Sequence, residues 1–409
     1  MHNATELPSR ACGACGATGA KACHHQRFVV PEGYPLPSSY DVVVCQRCGF
    51  VYADPRATQQ DYDRFYCEWS KYDDATTATG GGLSEYDAGR LARTAADIAR
   101  VLPSRAASIL DAGCATGGLL TALHQVGFTA VAGIDPSPRC ASACRERGFE
   151  AYVGSISAAP PHLPKFDCVV FSHVLEHVYD IPAFFDAARK LVSPGGYLYI
   201  ETPDAARYSD YLYAPFQEFN TEHINHFSAQ TMKTAVRRFG YEAVVVEQKV
   251  VRTGKDMDYP AVFGIFRDAG LSPDEHSASR DTRLPEQIGE YIRRSGIQMA
   301  AIDRHLAVDL RGRKKIILWG AGQLTMKLLT LPSLAGTELR ALVDNNPILQ
   351  GKRIANAVVM SPKDLRDTDD PIVIGTLLHT DAITGQIRRL GLDNPVIELR
   401  QTSEAAGQS

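Results

Sequence analysis

The sequence carries no excess of positive charge: 43 Lys and Arg stand against 47 Asp and Glu, for a formal net charge of -4. Without a basic field there is nothing to gather a nucleic-acid backbone or an anionic membrane surface, so neither partner is expected. Long apolar runs are missing as well, and no stretch approaches the ~18 uninterrupted apolar residues of a membrane span. The N-terminal MHNATELPSRACGACG has neither a basic start leading into an apolar segment nor a small-residue cleavage site. These absences lead to the expectation of a cytoplasmic protein whose ten cysteines are thiols or metal ligands rather than disulfides. Short-period repeats and low-complexity tracts are lacking too.

What is present is a chain of 409 residues, too long for one ordinary core, with the 44% hydrophobic and 22% charged residues of a globular protein. Residues 1–60 are rich in Cys, Gly and Pro and hold too little apolar material to fold well unaided. Residues 61–267 begin with aromatics, a flexible GGG loop and the amphipathic run YDAGRLARTAADIARVL, then alternate apolar strands with helices. That alternation predicts a parallel, doubly wound α/β sheet closed by VFGIFR as an edge strand. Residues 268–312 read as a polar linker and a long helix, and residues 313–409 as a second, smaller α/β unit.

Two motifs carry chemistry. CGAC and CQRC place Cys12, Cys15, Cys45 and Cys48 in two Cys-x-x-Cys knuckles, each closed by glycine, a donor set for one tetrahedral zinc ion. Four thiolates close the shell, so the metal is expected to be structural. Cys23, His24 and His25 lie between the pairs and read as loop residues. The second motif is ILDAGCATGG, in which Asp111 ends a strand and Gly113, Gly117 and Gly118 let the turn approach a ligand at a helix start. Asp135 of GIDPS ends the next strand, where an acid binds ribose hydroxyls in nucleotide-binding sheets.

A dinucleotide fingerprint needs G-x-G-x-x-G, whereas this chain has D-A-G-C-A-T-G-G. The pattern resembles motif I of class I S-adenosylmethionine-dependent methyltransferases, with alanine at position 115 where glycine is commoner. The resemblance implies that Gly113, Ala115 and Gly117 approach the methionine portion of the cofactor and that Asp111 is also a cofactor residue. It also implies that Asp135 holds the ribose, that Ser155 of VGSIS lies by the adenine, and that His173 and Glu176 of FSHVLEHV line the pocket. His177 is expected to pack a helix.

The order of modules is more particular. Zinc knuckles, a motif-I domain, a Glu-His pair in FQEFNTEHINHFS and a terminal GxG domain together resemble the sugar C-methyltransferases of deoxysugar biosynthesis. That resemblance implies S-adenosylmethionine and Zn2+ as cofactors, a nucleotide-linked keto-sugar as acceptor, and His223 as the base, oriented by Glu222. Histidine suits the task because a methyl group reaches carbon only after a proton beside a ketone is removed. His226 is assigned to packing. Tyr62, Tyr66 and Tyr72 of the aromatic segment are candidates to polarise a ketone oxygen. The alternative keeps the cofactor and places the methyl on oxygen or nitrogen of another small molecule. In the last unit, WGAGQLT gives G-x-G with Thr325 in place of a third glycine, and Asp344 follows on the next strand. It reads as a nucleotide-diphosphate rest or as a purely structural Rossmann-like unit. A chain with all these modules is expected to act as a monomer.

Overall fold

The computed structural model describes residues 9–69, 80–270, 278–366 and 368–400. After β1 (Ala20–Arg27), β2 (Ser39–Cys45) and β3 (Val51–Asp54) come the helices α1 (Gln59–Glu68) and α2 (Glu85–Val101). The alternating stretch follows: β4 (Ile109–Ala112), α3 (Gly118–Gln125), β5 (Val131–Asp135), α4 (Pro138–Glu146), β6 (Glu150–Val153), β7 (Phe166–Ser172), α5 (Ile181–Leu191) and β8 (Val192–Pro203). Then come β9 (Asn225–His226), α6 (Ala229–Arg238), the hairpin β10 (Tyr241–Gly254) and β11 (Met257–Asp268), and the long α7 (Leu284–Asp309). The chain ends through β12 (Lys315–Trp319), α8 (Gln323–Leu328), α9 (Pro332–Ala335), β13 (Glu338–Val343), β14 (Arg353–Ile354), β15 (Ala357–Met360), β16 (Ile372–Ile374), α10 (Thr380–Arg389) and β17 (Val396–Glu398).

The chain divides into two units: residues Met1–Cys23, Val42–Tyr211 and Glu222–Gln287 form one, and His24–Asp41, Leu212–Thr221 and Ile288–Ser409 the other. The first unit is built on a seven-stranded sheet in the order β10-β11-β8-β7-β4-β5-β6. Strands β4 to β8 pair in parallel, and β11 then runs antiparallel to β8 and β10. All four residues of β4 are buried, as the near-continuous apolar strands of a sheet covered on both faces require. VFGIFR belongs to β11, which has β8 on one side and β10 on the other, so the edge strand is β10 and not the segment expected. The reason is that VVVEQKVV, with three polar residues among five valines, folds back on β11 as a hairpin and takes the edge.

Helix α2 buries Leu91, Thr94, Ala95 and Ile98, the i, i+3, i+4, i+7 stripe of its sequence. Its N-cap Ser84 accepts from the Asp87 amide. The glycine loop before it is tied down from Gly80 onward, because the Gly80 and Gly82 amides both donate to the Asp87 carboxylate (2.9 and 2.7 Å). That winding brings the Gly80 carbonyl onto the Gly118 amide at 3.0 Å. The cysteine knuckles share one core with the sheet helices; a side chain at Gly13 would meet Ile181 Cδ1 at 2.4 Å. The end of the expected linker is also anchored. Asp281 is buried, accepts from Ser228 Oγ at 2.6 Å and from the Leu284 amide that starts α7, and donates its own amide to the Cys48 carbonyl.

The second unit has a six-stranded sheet in the order β14-β15-β13-β12-β16-β17, parallel except for the β14–β15 pair. Within this unit the buried Lys327 amine donates to the Phe216 carbonyl, and the Tyr291 hydroxyl accepts from the Glu218 amide at 2.9 Å. Burial pushes the Lys327 amine down to about 7. The α/β architecture with two Rossmann-like sheets matches the sequence expectation. Among the described residues, no helix is long and apolar enough to cross a membrane.

A Cβ at Gly118 would stand 2.5 Å from the Gly80 carbonyl oxygen and 2.6 Å from Leu91 Cδ1. Gly118→Ala is therefore expected to destabilise the protein by about 1–3 kcal/mol. Gly289, exposed inside α7 with open space around it, supplies the opposite case, and Gly289→Ala is expected to gain about 0.5–1 kcal/mol. Thermal unfolding of the two variants checks both signs.

Candidate active site

At the C-terminal ends of β4, β5 and β7 lies a cavity of about 550 Å³. This is the position at which doubly wound sheets hold ligands. The turn after β4 forms one wall. Its Gly113, Ala115 and Gly117 all take positive φ, +82°, +45° and +85°. Ala115 pays steric strain that glycine would not, which gives a physical reason for glycine being commoner there. The turn is braced from the next strand: Asp135 accepts from the Ala115 amide through Oδ2 and from the Ser137 amide through Oδ1, both at 2.9 Å.

Of the expected cofactor residues, Gly113, Ala115, Asp135, Ser155 and His173 line the cavity. Asp111 and Gly117 stand behind it. Asp111 is buried, and burial, with the Asp135 charge adding to it, pushes its carboxyl up to about 7. A side chain at Gly117 would meet Cys144 Sγ at 3.0 Å, so that residue shapes the turn against α4.

Of the expected catalytic residues, His223 and Tyr66 line the cavity, Glu222 does not, and Tyr72 lies outside the described residues. Tyr62 is buried and stacked on Tyr179, with ring centroids 5.9 Å apart, so it packs α1 and does not reach the cavity. His226 sits in β9, fully buried, with Nδ1 3.3 Å from the Tyr208 hydroxyl. Burial, reinforced by His223 and Arg10, pushes its ring down to about 3, so it stays neutral.

His177, expected to pack a helix, instead faces the cavity. Its ring lies edge-on to His223 at 4.9 Å and to Tyr66 at 5.7 Å. The donor atoms of Glu176, His177 and His223 all lie within 4.8 Å of one another. His177 Nδ1 donates to the Glu222 carbonyl at 3.2 Å, which turns Nε2 toward Glu176 Oε1 at 3.9 Å. Glu222 thus serves the cluster with its backbone, and the carboxylate beside the two imidazoles is that of Glu176. Burial pushes the His177 ring below its ordinary value, although the nearby Glu176 charge works the other way.

His173 closes the same wall in a left-handed backbone conformation, φ +57°. Its Nδ1 is 3.2 Å from Glu176 Oε1 and its Nε2 3.4 Å from Glu201 Oε1. Burial disfavours the charged ring, but the two carboxylates outweigh it and raise the group to about 9, an imidazolium at neutral pH. Burial works to raise Glu176 and Glu201, but His173 together with His177 and His223 for the first, and with Lys249 for the second, holds both below the ordinary carboxylate range.

Several contributors escaped the sequence reading. Gln59 and Asp63 of α1 line the cavity and stand with the expected Tyr66 at i, i+4, i+7 spacing, a helical stripe visible in QQDYDRFY. Arg90 brings a cation to the wall, steadied by Asp87 at 2.8 Å. Val251, Thr253, Met257 and Tyr259 reach it from the β10–β11 hairpin tip, which no local motif announces.

Away from the cavity, Cys12, Cys15, Cys45 and Cys48 gather their sulfurs within 4.8 Å of one another. Cys12 and Cys48, and Cys15 and Cys45, approach to 3.6 Å. Four converging thiols, three of them buried, suit one tetrahedral thiophilic ion.

Asp135 braces the turn and faces the cavity with the same carboxylate. Asp135→Ala is expected to weaken S-adenosylhomocysteine binding about 10- to 100-fold, the loss of one or two charge-assisted hydrogen bonds. Isothermal titration measures it.

Residues 85–246 match the family model described as "Methyltransferase domain", and residues 312–398 match "C2185-like, N-terminal". A ubiquinone biosynthesis O-methyltransferase of Methylobacterium nodulans is 38% identical over 112 residues, 26% of this chain and 45% of that protein. Its namesake in Methylocella silvestris is 34% identical over 106 residues, 24% of this chain and 41% of that protein. The chain thus spans less than half the length of these relatives. Among solved structures, the 1,6-didemethyltoxoflavin-N1-methyltransferase of Burkholderia thailandensis is 16% identical with a TM-score of 0.37, covering 54% of this chain and 96% of that one. The N-methyltransferase NodS of Bradyrhizobium japonicum, in complex with S-adenosylhomocysteine, is 19% identical with a TM-score of 0.36, covering 51% and 97%. Residues 85–246, which carry the turn after β4 and most of the cavity wall, are thus similar to a methyltransferase domain.

Proposed function

We propose that the protein transfers a methyl group from S-adenosylmethionine to a carbon beside the ketone of a nucleotide-linked keto-deoxysugar. The observation that carries this reading is the shared cavity: the braced turn at Gly113, Ala115 and Asp135 and the imidazoles of His177 and His223 open into one space of about 550 Å³. S-adenosylmethionine, when bound, supplies an electrophilic methyl on a sulfonium. Everything else is asked of the chain. Gly113 and Ala115 give the methionine portion close backbone approach, Asp135 accepts from the ribose hydroxyls, Ser155 lies by the adenine, and Arg90 offers a cation to a carboxylate.

His223 takes the proton from the acceptor carbon. The electron pair left behind is delocalised onto the ketone oxygen, which Tyr66 is placed to meet from α1. The imidazolium formed at His223 is stabilised by Glu176, a role the sequence reading gave to Glu222. That pair of groups would also serve transfer to oxygen or nitrogen. The O-methyl reading is favoured by the naming of the curated relatives as ubiquinone biosynthesis O-methyltransferases. A carbon acceptor alone requires that a proton be removed from carbon.

His223→Asn is expected to keep S-adenosylhomocysteine affinity while slowing transfer by about 10²- to 10⁴-fold, the usual contribution of a general base. In deuterated water, a thymidine-diphosphate-linked keto-deoxysugar should exchange the acidic proton with the parent protein and not with the variant. Absence of exchange with the parent, alongside methyl transfer to an oxygen acceptor, would move the assignment to O-methylation.

We infer that the four-cysteine cluster holds structural Zn2+, because four thiolates leave no open position for a substrate. The purified protein is expected to contain one zinc per chain by elemental analysis. Cys12→Ser or Cys45→Ser should lose the metal and lower the unfolding temperature, because the knuckles share the core of the first unit.

A further inference from the structure

A line of alternating charge runs from α2 to the cavity. Asp97 Oδ2 is 3.1 Å from Lys249 Nζ, which is 2.8 Å from Glu201 Oε2. The other oxygen of Glu201 is 3.4 Å from His173 Nε2, and His173 Nδ1 is 3.2 Å from Glu176 Oε1. The side chains of Lys249, Glu201 and Glu176 are at most 2% exposed. A line of this kind is costly to bury unless each member is paired, and each is. Three acids against two cations leave one negative charge, and it falls at the end that meets the imidazoles.

We propose that Glu176 is the counter-charge for the proton gained by His177 and His223, and that Glu201 and Lys249 are positioning residues that hold it there through His173. The proposal rests on the reading of the cavity as the methyl-transfer site. Glu201 is fixed on one side by Lys249, by the Thr94 hydroxyl at 3.1 Å and by the Tyr199 hydroxyl, so its Oε1 has one direction left, toward His173. Both His173 nitrogens face carboxylates, and a ring with an acceptor on each side carries both protons. Glu176 therefore meets His173 through Oε1, while its Oε2 is buried and makes no hydrogen bond. A buried carboxylate oxygen without a donor is expensive, and His177 and His223 each bring a ring nitrogen within 4.8 Å of the Glu176 carboxylate, close enough for its charge to oppose a gained proton's release.

Other polar groups face the imidazoles from every neighbouring element. Tyr66 comes from α1, Glu222 and His226 from the loop and strand around His223, and Tyr259 stands 6.3 Å from His173 on the hairpin. What sets Glu176 apart is its own tie, through Oε1, to His173 and so to the charge line behind the wall.

The test is proton–nitrogen correlation spectroscopy of the full chain with 15N-labelled histidine rings, titrated in pH with S-adenosylhomocysteine present. In Glu201→Gln the His173 midpoint should fall by about 1–2 pH units, because one of its two anions is gone, and the midpoints of His177 and His223 should rise as Glu176 loses its cation. In Glu176→Gln the midpoints of His177 and His223 should fall by about one unit. Should Glu201→Gln fail to fold, the paired change Glu201→Gln with Lys249→Met removes both buried charges together and is read the same way. Midpoints of His177 and His223 that stay put in both variants, with only the unfolding temperature altered, would overturn the proposal. Calorimetry of S-adenosylhomocysteine on the same samples separates the two readings. No cofactor binding by the parent protein, with ring midpoints moving as stated, would sink the methyl-transfer reading and leave the charge line standing.

Discussion

Everything at the cavity depends on a carboxylate at the end of the second strand holding the turn that leaves the first. The turn takes three positive φ angles in five residues, and its Gly113 and Cys114 amides share the Ile134 carbonyl at 2.8 and 3.2 Å, which leaves the Ala115 amide in need of another acceptor. Asp135 supplies the missing partner by accepting from Ala115 and Ser137 at once. The second unit repeats the device independently. Asp344 accepts from the Ala321 amide through Oδ2 at 2.6 Å and from the Asn346 amide through Oδ1 at 2.7 Å. The same acid, at the same place in each sheet, meets the same pair of amides. In the first unit that acid also faces a cavity; in the second, Thr325 follows the turn and spends its hydroxyl on the Gly320 carbonyl at 2.6 Å, tying the turn to its own helix.

The parts of the molecule legible in the sequence are those with local periodicity. The stripe of α2, the buried run of β4 and the spacing from Asp111 to Asp135 each follow from interactions within a few residues or one crossover, so pattern suffices. What could not be read is what long-range pairing decides. VFGIFR looks terminal because VVVEQKVV after the helix, with its polar residues in one block, gives no clean alternation; the hairpin that makes it an inner strand is a tertiary choice. Lys249 and Glu201 were visible as single charges inside apolar strands, in EQKVV and YIETP. Such charges are rare enough to ask for partners. Sequence does not say that they are each other's partners across β11.

The stretch EHINHFS divides by burial, with Glu222 and His223 half-buried and Ile224, Asn225 and His226 buried. Asn225 and His226 enter β9, which pairs with β3, and Asn225 donates to the Leu175 and Val178 carbonyls at 2.9 and 2.7 Å. Those bonds straddle the turn that carries Glu176 and His177. Packing residues of the stretch thereby fix the height at which His223 meets His177, and the Glu222 carbonyl fixes the tautomer. The sequence pairs His223 with Glu222, its neighbour in the chain; the fold adds Glu176, distant in the chain and adjacent in space.

The cysteine knuckles have a use beyond their own stability. Gly13 packs so closely on Ile181 that no side chain fits, and Ile181 begins α5. The first turn of that helix supplies Ala183 and Phe184 to the cavity wall, with Asp180 capping it and the Asp180 amide donating to Gln59 of α1 at 3.2 Å. The four-cysteine knuckle thus abuts the start of α5, and with it the wall shared with α1. A small module with too little core to fold alone is stabilised by the sheet domain it touches, and its contact point is the helix end that shapes the site.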